Sequence, residues 1–158
     1  EHKEYLAQDG IDPREELAKR LIKDIPSDVT VLAYNMSFEK GVITKLAESH
    51  IDLSKELISI NENMKDLMVP FQKKYYVTPE MNGSYSIKYV LPSLVPEFAK
   101  AYKELDGVQN GSEAMNAFAN MSKMKEDEKQ KMRISLLEYC KLDTLAMVKI
   151  LEKLKAIK

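Results

Sequence analysis

The sequence has few of the residues from which histidine or cysteine sites are built. Cys140 is the only cysteine, so the chain forms no internal disulfide and no cysteine-rich zinc site. His2 and His50 are the only histidines, which leaves a histidine metal site or a Ser/His/Asp triad poorly supplied. Carboxylates, in contrast, are abundant at 25. We therefore expect any bound metal to be magnesium or manganese rather than zinc.

Long apolar runs and a strong basic charge are also missing. No apolar run approaches the roughly 20 residues that span a bilayer, and no signal-peptide pattern opens the chain. We therefore expect a cytoplasmic protein that makes no membrane contact. The net charge of −1 and the pI near 6.2 lack the signature of a nucleic-acid coat protein. The total charge does not exclude a metal-dependent nuclease, because the acidic metal site of such an enzyme offsets the positive charge of its basic groove.

Hydrophobic periodicity predicts one domain over residues 1–158 that contains both strands and helices. Strands are predicted over 5–7 and over 29–34, and the second, rich in β-branched residues, is expected to be buried on both faces. Helices are predicted from Pro13 to Ile25, from Phe38 onward, in pieces over 53–76, and over 86–91, 112–122 and 125–155. The apolar arc of the last helix is predicted to contain Leu137, Cys140, Met147, Val148 and Leu151.

Two short motifs carry the residues best suited to chemistry. The first follows the buried strand and contains Asn35, Phe38 and Glu39. A carboxylate there lies at the carboxyl end of a strand, where ligands usually bind in open α/β sheets. The second motif is in the last helix, where Tyr139 and Asp143 are four residues apart and therefore lie one above the other at the margin of the apolar arc.

Each of these residues also has an ordinary structural interpretation. Asn35 or Ser37 caps a helix in that interpretation, and the helix dipole favours Glu39 in the first turn. Asp143 is then a solvated helix residue and Tyr139 an aromatic at the rim of the core. The combination of the two motifs is what favours a functional interpretation.

That combination resembles the second and third motifs of the proofreading-type (DEDD) 3′–5′ exonucleases. Their second motif is Asn-x-x-(Phe or Tyr)-Asp after a strand, matched by Asn35, Phe38 and Glu39. Their third motif is Tyr-x-x-x-Asp on the final helix, matched by Tyr139 and Asp143. The tyrosine at this position is typical of the tyrosine subtype. Glu39 stands where most of the superfamily has Asp.

Over about residues 3–154 the chain resembles an uncharacterised bacterial domain family within that superfamily. The shared segments are residues 34–39, 66–71, 83–88, 90–92 and 138–144. The resemblance implies an α/β, three-layer ribonuclease H-like fold that is incomplete here and mostly helical in the part that remains. The first motif, Asp-x-Glu on a central strand, is absent from the sequence and is expected upstream, so we predict an N-terminally truncated domain. Without that strand, the edge over 29–33 is expected to be exposed and to favour self-association.

The resemblance also implies a set of site residues. Two magnesium or manganese ions would activate water and stabilise the leaving oxygen, with Asp143 as a direct ligand and Glu39 holding the second ion through water. Tyr139 would orient the attacking water. Asn35 and Phe38 would support the site.

The remaining candidate site residues are weaker signals. Asp66 fits a supporting acid near the metals and fits a helix N-cap about equally well. Basic and aromatic side chains suited to phosphate contact and base stacking are Lys73, Lys74, Tyr85 and Lys88. A solvated edge is the ordinary explanation of such a cluster.

Two functions are therefore weighed for the longer protein. One is a metal-dependent 3′–5′ exonuclease that acts on the 3′ ends of single-stranded DNA or RNA, in which case the present chain alone is expected to be inactive. The other is a non-catalytic module that binds nucleic acid or protein on a degenerate exonuclease fold. An Asp-x-Glu motif upstream would favour the first.

Overall fold

The computed structural model describes residues 1–157, and this part of the chain is mostly helical. Seven α-helices and two strands are present among these residues, joined by short 3₁₀ turns. The helices are α1 (Arg14–Asp24), α2 (Met36–Ser49), α3 (Ser54–Glu62), α4 (Val69–Gln72), α5 (Ile87–Leu94), α6 (Gly111–Asn120) and α7 (Glu126–Ala156). The strands are β1 (Val31–Ala33) and β2 (Met64–Asp66).

The chain forms two compact units. One contains residues 12–76, and the other contains residues 1–11 together with the chain from Val77 onward. Both strands and helices α1 to α4 belong to the first unit, and α5 to α7 belong to the second. The single domain over 1–158 stays a prediction.

The predicted three-layer ribonuclease H-like fold is wrong for the part of the chain that the structure describes. Its only sheet there has two parallel strands, in which Val31 pairs with Met64 and Ala33 with Asp66. A sheet of two three-residue strands has too little surface to carry helical layers on both faces. No described strand pairs with the second edge of β1, and self-association through that edge stays a prediction.

The predicted strand over 5–7 is also absent from the structure. Residues 1–8 are irregular, and the carbonyl groups of Leu6 and Ala7 bond to a side chain instead of to a strand. The Arg133 guanidinium on α7 donates to the carbonyl oxygens of Ala7 at 2.8 Å and Leu6 at 2.9 Å. Lys129, one helical turn earlier, pairs with Asp9 at 2.8 Å. These contacts fix the amino-terminal segment to α7.

The core of the unit over 12–76 lies where α1, α2 and α3 pack together against the strand β1. Helix periodicity places apolar residues on the inner face of each helix. Val31 is only partly buried and Val29 is 39% exposed, so the prediction of a strand buried on both faces is wrong. The buried residues are Ala18, Ala33, Ile43, Leu46, Ala47, Leu57, Ile60 and Met64.

The second unit is organised around α7, the long helix over 126–156, which packs against α5 and α6. The length of α7 agrees with the predicted helix over 125–155, but its buried face is different. Leu136, Tyr139, Ala146 and Ile150 are buried, whereas Cys140 and Val148 of the predicted arc are exposed. The inner face of α7 therefore includes the aromatic residue of the second motif.

No helix in residues 1–157 combines the length and the apolar character that crossing a membrane requires.

Candidate functional site

The first motif lies at the start of α2, and Asp66 holds its backbone. Asn35, just before the helix, is left-handed at φ 68°, a conformation that asparagine tolerates better than most residues. The Asp66 carboxylate accepts hydrogen bonds from the N–H of Asn35 at 3.0 Å, of Met36 at 3.1 Å and of Met68 at 2.9 Å. Asp66 thus joins the end of β2 to the amino end of α2.

The side chains of the first motif differ in exposure. The Asn35 side chain makes no cap hydrogen bond, and its oxygen accepts from the Ser37 hydroxyl at 2.9 Å. Phe38 is 59% exposed. Glu39 is half-buried in the first turn of α2, where the helix dipole favours a carboxylate. Among the predicted site residues of this unit, the structure brings Asn35 and Asp66 into contact through the hydrogen bond from the Asn35 N–H to the Asp66 carboxylate.

The predicted basic and aromatic cluster is divided between the two units. Lys73 and Lys74 are exposed in the turn after α4, and Lys74 is left-handed at φ 58°. Tyr85 is 45% exposed just before α5. Lys88 is the second residue of α5 and belongs, with Tyr85, to the second unit.

The second motif forms a polar cluster on the inner face of α7. The Tyr102 hydroxyl donates to Asp143 Oδ1 at 2.7 Å, and the rings of Tyr102 and Tyr139 lie 6.5 Å apart. Tyr102 is 8% and Tyr139 9% exposed, while Asp143 is half-buried. We call Tyr102, Tyr139 and Asp143 the Tyr–Asp cluster. Asp143 is a carboxylate fixed at the edge of a core and not a freely solvated helix residue.

Lys88 is fixed beside this cluster by two contacts. Its ammonium group donates to the backbone carbonyl of Gln109 at 2.7 Å. It also lies 5.5 Å from the centroid of the Tyr102 ring, which is within the range of a cation–π interaction. A positive charge next to the phenol favours donation of its hydroxyl proton to Asp143.

Burial, followed by hydrogen bonding to Asp143, raises the pKa of Tyr139 above the ordinary tyrosine value. The phenol is therefore neutral across the physiological pH range and able both to donate and to accept a hydrogen bond. A side-chain carbon at Gly111 would stand 3.8 Å from the Tyr139 hydroxyl oxygen. The hydroxyl group thus lies near the amino end of α6.

Tyr102 is the site residue that the sequence reasoning missed. It lies outside any regular helix, and 41 residues separate it from Asp143. Neither periodicity nor a short motif relates positions so far apart. Only its contacts in the folded chain identify it.

The carboxylates of the described chain do not by themselves fit a metal centre. Within residues 1–157, no three His, Cys, Asp or Glu side chains are grouped so that they could hold a metal ion. Glu39 belongs to the unit over 12–76 and Asp143 to the other unit, and their convergence stays a prediction.

Each unit also has a cavity. The larger, about 360 Å³, lies in the unit over 12–76 against α1 and α3, and none of the predicted site residues line it. The smaller, about 240 Å³, is in the second unit and is lined in part by Tyr102 and Lys88. The second cavity is therefore the one that adjoins the Tyr–Asp cluster.

Replacing Asp66 is expected to destabilise the unit over 12–76. In Asp66→Asn one acceptor oxygen becomes an N–H₂ group, so at least one of three backbone N–H groups loses its acceptor. We expect a loss of about 1–2 kcal/mol in the free energy of unfolding, measured by urea denaturation. Asp28→Asn is the matched control, because Asp28 is exposed. Equal stability of the two variants would contradict the role assigned to Asp66.

The raised pKa of Tyr139 predicts a loss of stability at alkaline pH. Above about pH 10 tyrosine ionises in the unfolded chain while Tyr139 stays protonated in the folded one, so the folded state binds more protons and stability falls. The expected slope is up to about 1.4 kcal/mol per pH unit. Urea denaturation over this range should give a smaller fall for Tyr139→Phe than for wild type. Tyr75→Phe, at a 75% exposed position, should behave as wild type, and equal falls in all three proteins would refute the assignment.

Comparisons with known proteins place the chain in a family. Residues 1–86 match the family model described as Domain of unknown function (DUF2779). In an alignment over 107 positions that covers 61% of this chain, the sequence is 36% identical to Uncharacterized protein UU173 of Ureaplasma parvum serovar 3. The match covers 16% of that relative, so the chain corresponds to a small part of its length. No solved structure matches the chain. Because the family model covers more than half of its residues, this chain belongs to the DUF2779 family.

Proposed function

We propose that the protein containing this chain is a cytoplasmic, metal-dependent 3′–5′ exonuclease that hydrolyses the ends of single-stranded DNA or RNA. The observation that carries the proposal is the Tyr–Asp cluster. The two residues that match the third exonuclease motif, Tyr139 and Asp143, share a partly buried polar environment with Tyr102. A solvated pair of helix residues would need no such environment.

The geometry supports distinct tasks for the cluster residues. Tyr102 binds one oxygen of Asp143, which limits the rotation of the carboxylate. Tyr139 is held neutral by its raised pKa, so its hydroxyl is suited to orienting a water molecule for attack on a phosphodiester. Magnesium or manganese would supply activation of that water. The described residues do not group into a metal site. The remaining metal ligands would therefore come from another part of the longer protein.

The contacts of Asp66 favour a supporting task for this residue beside the first motif. Asp66 uses its carboxylate on three backbone N–H groups, and it therefore positions Asn35 and the start of α2. Glu39, one turn further along the helix, is the remaining carboxylate that the proposal assigns to metal binding.

A second candidate function is a non-catalytic module that binds nucleic acid. The lack of a three-ligand metal grouping in residues 1–157 favours it. The two candidates differ in a measurable way, because a binding module retains single-stranded oligonucleotide without shortening it.

The test is nuclease activity of the full-length protein on end-labelled single-stranded DNA and RNA with magnesium or manganese. We expect wild type to release mononucleotides. Asp143→Asn should reduce the rate by about a hundredfold or more, because loss even of groups that only support a metal ligand often has effects of that size. Asp127→Asn is the matched control, since Asp127 is exposed on the first turn of the same helix. Binding of oligonucleotide without release of mononucleotides would favour the second candidate and contradict the first.

A further inference from the structure

The cavity of about 240 Å³ in the second unit has an unusual set of walls. Most of its lining side chains are cations, aromatic rings or amides, and the lining includes no Asp or Glu. The six that bear on its chemistry are Lys88, Lys103, Phe98, Tyr102, Gln109 and Asn110. A cavity with such walls favours ligands according to both their charge and their shape.

The charge of the lining favours an anion. Lys88 and Lys103 are its ionised side chains. The Lys88 ammonium is held by the Gln109 carbonyl at 2.7 Å, and an ammonium has three donors, so that bond leaves donors for a ligand. Phosphate is an anion that lysine binds readily as a point charge.

The aromatic ring of Phe98 favours a flat ring in the ligand in addition to an anion. Phe98 is half-buried and therefore held in place by packing, whereas Tyr102 is buried and has the Lys88 ammonium over its ring, so Phe98 is the ring open to stacking. Bases stack on such rings whatever their identity, because every base has a π face. The cavity is slightly smaller than the range of about 300–1,000 Å³ typical of small-molecule sites, which favours one nucleotide unit over two.

The cavity and the Tyr–Asp cluster share one residue. Tyr102 is among the residues that line the cavity, and its hydroxyl donates to Asp143. A molecule bound in the cavity therefore lies one side chain away from the carboxylate to which the proposed function assigns catalysis.

We propose that this cavity binds a nucleoside 5′-monophosphate, with the phosphate on Lys88 and Lys103 and the base against Phe98. The identification of the ligand rests on the proposed function, because 5′-mononucleotides are the products of a 3′–5′ exonuclease. The walls of the cavity recognise the ligand without any metal ion.

The test is a calorimetric titration of the full-length protein with adenosine 5′-monophosphate in the presence of a chelator, so that neither metal nor turnover contributes. Adenosine and inorganic phosphate are titrated separately. We expect the monophosphate to bind more tightly than either. Lys103→Ala and Lys88→Met should each weaken its binding by about tenfold, the size expected for loss of one charge-assisted hydrogen bond. Lys100→Ala, an exposed lysine outside the lining, is the matched control and should stay within about twofold of wild type.

Several results would overturn the inference. Absence of monophosphate binding, or equal binding by wild type and both lining variants, would show that the cavity is not the site. If adenosine bound as tightly as the monophosphate, the two lysines would have no role in binding. If inorganic phosphate bound as tightly as the monophosphate, the aromatic ring would have no role in binding. Monophosphate binding in a protein without nuclease activity would contradict the proposed function alone. Nuclease activity without monophosphate binding would overturn this inference alone.

Discussion

The hydrogen bond between the Tyr102 hydroxyl and Asp143 Oδ1 is the contact on which the proposed site depends. A carboxylate at the edge of a core is costly unless its oxygens are hydrogen-bonded. At 2.7 Å this bond meets that need. It allows α7 to turn Tyr139 and Asp143 toward the interior of the unit, and it connects Asp143 to Tyr102, which is among the residues that line the cavity. Without it, Asp143 would lose one of its hydrogen-bond donors beside apolar side chains.

A second carboxylate has a different task in the unit over 12–76. Asp66 binds three backbone N–H groups at the start of α2 and after β2. These donors would otherwise be orphans, because the first N–H groups of a helix have no partner within it. Of the two roles predicted for Asp66, a supporting acid near the metals and a helix cap, the contacts favour the cap. Burial and bonding partners, rather than the kind of residue, therefore distinguish the two carboxylates.

The sequence predicted long, periodic elements well and short or long-range features poorly. Helices α1 and α7 were predicted nearly to their ends, because their apolar spacing extends over several turns. Strand β2 was missed, since three residues with Lys65 in the middle show no alternation to detect. The three-layer fold was inferred from motif resemblance, and motifs do not specify the number of strands in this chain.

The candidate site was predictable in its local parts only. The four-residue spacing of Tyr139 and Asp143 indicated that they are neighbours on one helix face. The buried arc of α7 was placed wrongly, because it contains Tyr139 and the small Ala146, which count little in an apolar pattern. Tyr102 could not be predicted, because its bond to Asp143 is a tertiary contact across 41 residues.

A double-mutant cycle between Tyr102→Phe and Asp143→Asn tests the central claim most directly. The free energies of unfolding of wild type, both single variants and the double variant give the coupling between the two side chains. Because the hydroxyl and the carboxylate are bonded partners, we predict a coupling of about 1 kcal/mol or more. Additive effects, with a coupling near zero, would mean that Tyr102 does not hold Asp143 and would contradict the account.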